Sequence, residues 1–300
     1  MAVRARNEHQ RNVLKKMDSL SGRYTRYQIY SDFVILSALY ISNAVDLLNQ
    51  PERMKQARQI EEKYTKAELK VLAEMFGEMV AGLEKNADQD FLGELFMMCE
   101  FGSDAHGQFF TPYSVCSAMA RLNSAEDIDQ KIKKQGYVSV SDCACGAGAT
   151  LIAFANYCFS RNINYQLHVL FIAQDIDYLT ACQCYIQMSL LGMPGYVAVG
   201  DSLTDPSTAW DDRGLLPTKP KRCFFTPMFF SAAWTGRKII ARMALEEKRF
   251  KNSLDSMSAS IPSEPEEKKE NEPKLEKVPV PDITSELKEV KGGQIGRAHV

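Results

Sequence analysis

The sequence predicts an α/β fold with a doubly wound, mostly parallel sheet, preceded by a helical N-terminal region. Three observations predict it. From Tyr137 onward, short apolar or β-branched runs alternate with helical patterns over short connections. The first run, Tyr137–Ser141, ends in the small-residue loop Asp142-Cys-Ala-Cys-Gly146-Ala-Gly148, which opens a helix. Residues 1–100 place their apolar side chains at helical spacing instead.

Each element follows from local signals. Ser31-Asp32 reads as a cap for a helix through Phe33-Val-Ile-Leu-Ser-Ala-Leu-Tyr. Thr65-Lys-Ala-Glu68 has capping-box spacing ahead of Leu69, Val71, Leu72, Met75 and Phe76. Asp90 leads into Phe91, Leu92, Leu95 and Phe96, a further amphipathic helix. After the first strand, Thr150–Ser160 is a helix. Leu167–Ala173 is an apolar run interrupted only by His168, as in a buried parallel strand. Tyr178–Leu191 is a helix ended by Gly192 and Pro194, and Tyr196–Val199 is a third strand. The pattern weakens after Trp210. Arg222–Thr226 reads as a fourth strand and Trp234–Phe250 as a helix. From about Ser253 the chain turns Ser/Pro/Glu/Lys-rich, which predicts a disordered tail. The division is therefore 1–100, a helical region; 101–250, an α/β domain whose completeness the sequence leaves open; and 251–300, a charged tail. The last six residues resemble a translated adapter read, so His299 carries no weight.

Composition excludes several classes. Hydrophobic residues make up 45% of the chain, enough for a real core. A net charge of −2 excludes a histone-like polycation, so nucleic-acid contact has to come from a local patch. The eight cysteines fall at irregular spacings, with Cys143/Cys145 and Cys182/Cys184 as C-x-C pairs. They read as small buried hydrophobes in a reducing cytosol, with no metal site. No signal peptide opens the chain, and no apolar run approaches the roughly 20 residues of a membrane span.

The glycine loop carries the chemistry. Gly146 and Gly148 let the backbone approach a ligand at a helix N-terminus. Neither the dinucleotide nor the phosphate-loop spacing is present. An acidic residue ahead of the glycines would repel a pyrophosphate, and it suits a cationic amino-acid cofactor such as S-adenosylmethionine. Asp142, Asp175 and Asp201 end the three strands, at the edge where open α/β sheets bind ligands. Each could equally be a turn or helix cap. Asp177 competes with Asp175.

Upstream lies Gly107-Gln-Phe-Phe-Thr-Pro112. With the glycine loop, it makes roughly Asp90 to Leu203 resemble the N6-adenine DNA methyltransferases, specifically the modification subunits of type I restriction–modification systems. There, G-Q-[FY]-[FY]-T-P precedes D-P-x-x-G-[ST]-G by a few tens of residues, although Cys143 stands here for the usual proline. The resemblance implies a sheet of the S-adenosylmethionine-dependent methyltransferase type in a cytoplasmic protein of bacterial or phage origin. It implies that S-adenosylmethionine is held by Phe110, Thr111 and Pro112 with Gln108 and Phe109, and by the loop at Asp142, Ala144, Gly146 and Gly148. Asp142 would lie near the methionine end, Asp175 would accept from the ribose, and Asp201 from the adenine amino group. It also implies double-stranded DNA as substrate and a separate specificity subunit as partner.

Adenine N6 is a poor nucleophile, and that family meets the problem with [ND]-P-P-[FY] after the fourth strand. No Asn-Pro-Pro or Asp-Pro-Pro occurs in this chain. The best positional match is Phe225-Thr-Pro-Met-Phe-Phe230, with Thr226 and Pro227 for the polar acceptor turn and Phe229 for the aromatic. The alternative is that this segment is an aromatic core strand and turn. Two readings follow: an adenine-specific DNA methyltransferase, or an S-adenosylmethionine-binding, DNA-associated module that has lost catalysis. A methyltransferase of proteins or small molecules fits the Gly107–Pro112 segment less well. Basic residues cluster over 1–26 (Arg4, Arg6, Arg11, Lys15, Lys16, Arg23, Arg26) and at Lys219, Lys221 and Arg222, as either phosphate contacts or solvated faces.

Overall fold

The computed structural model describes residues 7–101, 110–123 and 128–259. Two compact units divide the chain, 1–251 and 252–300. Of the second, the described residues are 252–259, which complete the last helix.

The helical region begins with α1 (Glu8–Leu20), capped by Asn7, and α2 (Arg26–Asn43), capped by Thr25. The expected cap at Ser31-Asp32 therefore lies inside α2. Thr25 takes the cap because its hydroxyl accepts from Gln28 N at 3.1 Å, whereas Asp32 is buried and accepts from Lys63 Nζ and the Tyr64 hydroxyl, both at 2.9 Å. A third helix, α3 (Gln50–Glu61), has Pro51 in its first turn. The capping box of Thr65 and Glu68 opens α4 (Lys66–Lys85), and Asp90 caps α5 (Phe91–Met98).

Next come α6 (Tyr113–Asn123) and α7 (Ile128–Gln135), then a mixed α/β segment. Strands β1 (Val138–Asp142), β2 (Val169–Asp175) and β3 (Gly195–Val199) are parallel and adjacent in that order. Helix α8 (Ala149–Ser160) and the short α9 (Tyr165–His168) join β1 to β2, and α10 (Tyr178–Leu190) joins β2 to β3. The strand expected from Leu167 begins at Val169, because Asn164 caps α9 and draws Leu167 and His168 into that turn. The fourth strand, β4 (Cys223–Phe225), runs antiparallel to β3. Helix α11 (Ala232–Ala259) continues past Ser253, where composition predicted the tail. The predicted tail from residue 260 lies outside the described residues.

Alternation along β2 decides what covers the sheet. Val169, Phe171 and Ala173 enter a core continuous with that of α1–α5, so the helical region and the sheet share one interior. Leu170 and Ile172 face the other way, onto Tyr196, Leu215, Phe229 and Trp234. Both faces of β2 are thus buried, and its unbroken apolar run follows.

Asp90 is a polar tie in the shared core. It accepts from Gly93 N at 2.9 Å and from Gln187 Nε2 at 2.8 Å. Burial lifts its carboxyl from 3.8 to about 6. A raised folded value contributes stability that is present below about pH 4 and lost as the pH passes 6, about 3 kcal/mol in all. Asp90→Asn should remove that fall. Melting temperatures of the two proteins across pH 4–7 test this, and a constant difference between them would refute it.

Candidate functional site

Three hydrogen bonds donated by backbone amides tie together the ends of β1, β2 and β3. Cys145 N donates to Gln174 O at 3.0 Å, Gly146 N to Asp175 Oδ2 at 2.9 Å, and Gly200 N to Asp175 O at 2.9 Å. The glycines answer two different demands. Gly146 has φ +54°, and a Cβ there would sit 3.3 Å from the Phe110 ring. Gly148 has φ +95°, and its Cβ would meet Cys184 Sγ at 2.9 Å. Gly148 is also the residue from which α8 starts, so the loop ends at a helix N-terminus.

The carboxylates divide by what they hold. Asp175 accepts from Gly146 N through one oxygen and from Asp177 N, at 2.9 Å, through the other. Asp177 instead caps α10, accepting from Thr180 N and Oγ1, both at 2.7 Å. Asp175 is therefore the one that faces the glycine loop. Asp142 accepts from Ala144 N at 3.1 Å and from the Thr150 hydroxyl. Asp201 accepts from Leu203 N at 2.9 Å, and that bond lowers its pKa.

Phe110 packs at 5.3 Å from the Phe96 ring and lies over the glycine loop. Pro112 immediately precedes α6, its carbonyl accepting from Val115 N at 2.9 Å. A cavity of about 630 Å³ beside β1 is lined by Thr111, Asp142, Ala144, Thr150 and Phe154 among others. Phe110, Gly146, Asp175 and Asp201 are not among its lining, so the cavity adjoins the glycine-loop cradle rather than containing it. The structure thus brings Phe110, Thr111, Asp142, Ala144, Gly146, Gly148 and Asp175 to one sheet edge, with Asp201 on the neighbouring loop. Gln108 and Phe109 lie outside the described residues.

Two side chains at this edge escaped sequence reasoning. Gln187, buried on α10, donates to Ala147 O and to Asp90, both at 2.8 Å, and accepts from Leu92 N. It clamps the glycine loop to α5. Gln174 accepts from Ser207 N at 3.0 Å and donates to Asp205 O at 2.9 Å, fixing the loop after β3. The available signal for Gln174 was a glutamine at the end of an apolar run, whereas α10 carries Gln183 as well as Gln187, so no local signal singled Gln187 out.

Thr226, Pro227 and Phe229 are not at this edge. Because β4 is antiparallel, its C-terminal end meets the start of β3, and Thr226 N donates to Gly195 O at 3.0 Å. The glycine-loop edge lies at the other end of β3, about 16 Å away at ~3.3 Å per residue. Thr226 is fully buried, its hydroxyl accepting from Gly195 N at 3.0 Å and donating to Gly195 O at 3.2 Å. Phe229 stacks on Phe225 at 5.7 Å in the core. Pro227 starts a 3-10 turn. The expected acceptor role is corrected accordingly: the segment is an aromatic strand and turn. Thr226→Val should cost about 1–3 kcal/mol by orphaning the Gly195 amide, and leave intact any crosslinking of S-adenosylmethionine, the cofactor that the resemblance implies. Loss of crosslinking in a folded variant would refute that placement.

The basic clusters are partly paired with acids. Lys16 pairs with Glu74 at 2.7 Å, Arg23 with Glu68 at 3.5 Å, and Arg26 with Asp18. Lys219 and Arg222 both reach Asp205, at 2.7 and 3.1 Å. Arg4 and Arg6 lie outside the described residues. Among the described residues, no group of three or more His, Cys, Asp or Glu could hold a metal ion. No helix there is long and apolar enough to cross a membrane.

No curated protein and no solved structure matches the chain. The family model for N-6 DNA methylase matches residues 87–254, from the approach to α5 through most of α11. The match spans more than half of the sequence and takes in the whole sheet with its glycine-loop edge, and the chain belongs to the N-6 DNA methylase family.

Proposed function

We propose that the protein is an S-adenosylmethionine-dependent adenine N6 methyltransferase of DNA, of the type I modification-subunit kind, in a restriction–modification-like system. The observation that carries this reading is the meeting of Phe110, Gly146 and Asp175 at one cradle. The residues present fit the cofactor: Gly146 leaves space that a Cβ would take up against Phe110, and a large cavity adjoins an acidic strand end. When bound, S-adenosylmethionine supplies an electrophilic methyl group on a sulfonium. Asp142 would offset the cationic methionine end, Phe110 would exclude water from one side, and Asp175 would hold both the loop and the ribose hydroxyls. Asp201 would serve the adenine amino group. The same reading takes the sheet as doubly wound, the protein as cytoplasmic and of bacterial or phage origin, double-stranded DNA as substrate, and a separate specificity subunit as partner.

A second reading has one observation in its favour. No [ND]-P-P-[FY] motif occurs, and its nearest match, Thr226, is a core residue at the opposite edge. That favours a cofactor-binding, DNA-associated module without transfer. One experiment separates the two: purified protein with methyl-labelled S-adenosylmethionine and unmethylated duplex DNA. Labelled N6-methyladenine in the digested DNA supports the methyltransferase. Ultraviolet crosslinking of label to the protein without transfer supports the module, and neither signal overturns both.

A further inference from the structure

On the side of the sheet away from the shared core, two clefts of about 430 and 480 Å³ flank α11 and meet at Trp210. Trp210 is 57% exposed and Phe230 41%, in a chain whose other tryptophan, Trp234, is fully buried. Cations crowd these rings. Lys238 Nζ lies 4.1 Å from the Phe229 centroid and 4.8 Å from that of Phe230, and the Arg249 guanidinium lies 5.7 Å from the Trp210 ring. Arg242 lines the same cleft, while Arg213, Arg237 and Lys248 line the other. The acids are fewer and partly committed. Asp46 pairs with Arg53 at 2.7 Å, and Asp211 accepts from Arg213 N and Leu216 N. Asp212 and Glu246 complete the set. Among the described residues, Lys238, Arg242 and Arg249 form no ion pair with a carboxylate.

We propose that the cleft at Trp210, Phe230, Lys238, Arg242 and Arg249 binds single-stranded nucleic acid, bases stacking on the exposed rings and phosphates meeting the cations. An aromatic platform rimmed by unpaired positive charge is the chemistry that such strands need. Duplex DNA keeps its base faces stacked and would leave Trp210 unused, and an acidic peptide has no planar rings to stack in sequence. Burial and the adjacent Arg242 lower Lys238 to about 8, and its ammonium donates to Phe229 O at 2.9 Å. The cleft lies apart from the glycine-loop edge, so this activity does not depend on methyl transfer.

The two tryptophans supply the readout, since buried Trp234 should be silent. Titrating the full chain with oligothymidylate of about 12 nucleotides should quench Trp210 emission, and Trp210→Phe should remove most of the change. Trp210→Ala should weaken binding about tenfold by fluorescence anisotropy of labelled oligonucleotide. Arg242→Gln with Arg249→Gln should weaken it further and flatten its salt dependence. S-adenosylmethionine crosslinking, measured on each variant, reports folding and the state of the other site separately. Heparin binding with equal affinity and equal quenching would overturn the proposal in favour of a plain polyanion surface. Stronger quenching of Trp210 by duplex than by oligothymidylate, no binding of the oligonucleotide, or oligonucleotide affinity untouched by Trp210→Ala would overturn it too.

Discussion

Arg53→Ala lowers the stability of the protein by about 3–5 kcal/mol, the cost of stranding a buried charge. The Arg53 and Asp46 side chains are 8% and 5% exposed and meet at 2.7 Å. Arg53 also donates to the Ser42 hydroxyl and, at 2.7 Å, to Cys223 O, and its guanidinium lies 4.3 Å from the Phe224 ring centroid. One side chain therefore fastens α2 and α3 to β4. Alanine removes all of these at once and, among the described residues, leaves the Asp46 side chain its Asn49 bond, at 2.7 Å. Denaturant midpoints measure the effect. The double variant Arg53→Ala/Asp46→Ala should lose less than the sum of the single variants, because the stranded carboxylate is gone. A single-variant loss under about 1 kcal/mol would mean that water reaches Asp46 and the pair behaves as a surface one.

Arg53 also marks where sequence reading stops. Nothing in Gln50–Glu61 distinguishes it from the neighbouring surface cations, because its partner atom, Cys223 O, lies 170 positions away in the chain. Gln187 and Gln174 are similar: their roles exist only once strand order has been set. The Thr65 capping box and the glycine loop were legible because their causes are local. A threonine hydroxyl and a glutamate reach backbone amides within one turn, and a loop that needs φ +54° and +95° at two positions takes glycine at both. Thr226 shows the opposite case. Chain order put it after a fourth strand, as the family motif requires, but chain order carries no strand direction. Pairing against β3 reversed β4 and carried the segment to the far edge. The Ser31-Asp32 cap failed for a related reason: tertiary burial of Asp32 against Lys63 and Tyr64 outweighed its local preference for a helix end.

If the proposed cofactor site is right, Asp175→Ala should weaken S-adenosylmethionine binding at least tenfold, about 1.4 kcal/mol. Two costs add. The proposed ribose acceptor is lost, and so is the bond that holds Gly146 N at 2.9 Å, the link between the loops after β1 and β2. The backbone bonds Cys145 N to Gln174 O and Gly200 N to Asp175 O remain, so the fold should survive with its loop loosened. Asp175→Asn keeps one acceptor oxygen and should fall between alanine and wild type. Asp177→Ala is the informative control. It removes the cap of α10, worth about 1 kcal/mol of stability, while Asp175 still holds the loop. Calorimetric affinities and melting temperatures together separate the roles: Asp175 variants should move mainly in affinity and Asp177→Ala mainly in melting temperature. Wild-type affinity in Asp175→Ala would remove this carboxylate from the cofactor site. Equal affinity losses in both alanine variants would show that the binding edge depends on the whole turn from Asp175 to Asp177 and not on one carboxylate.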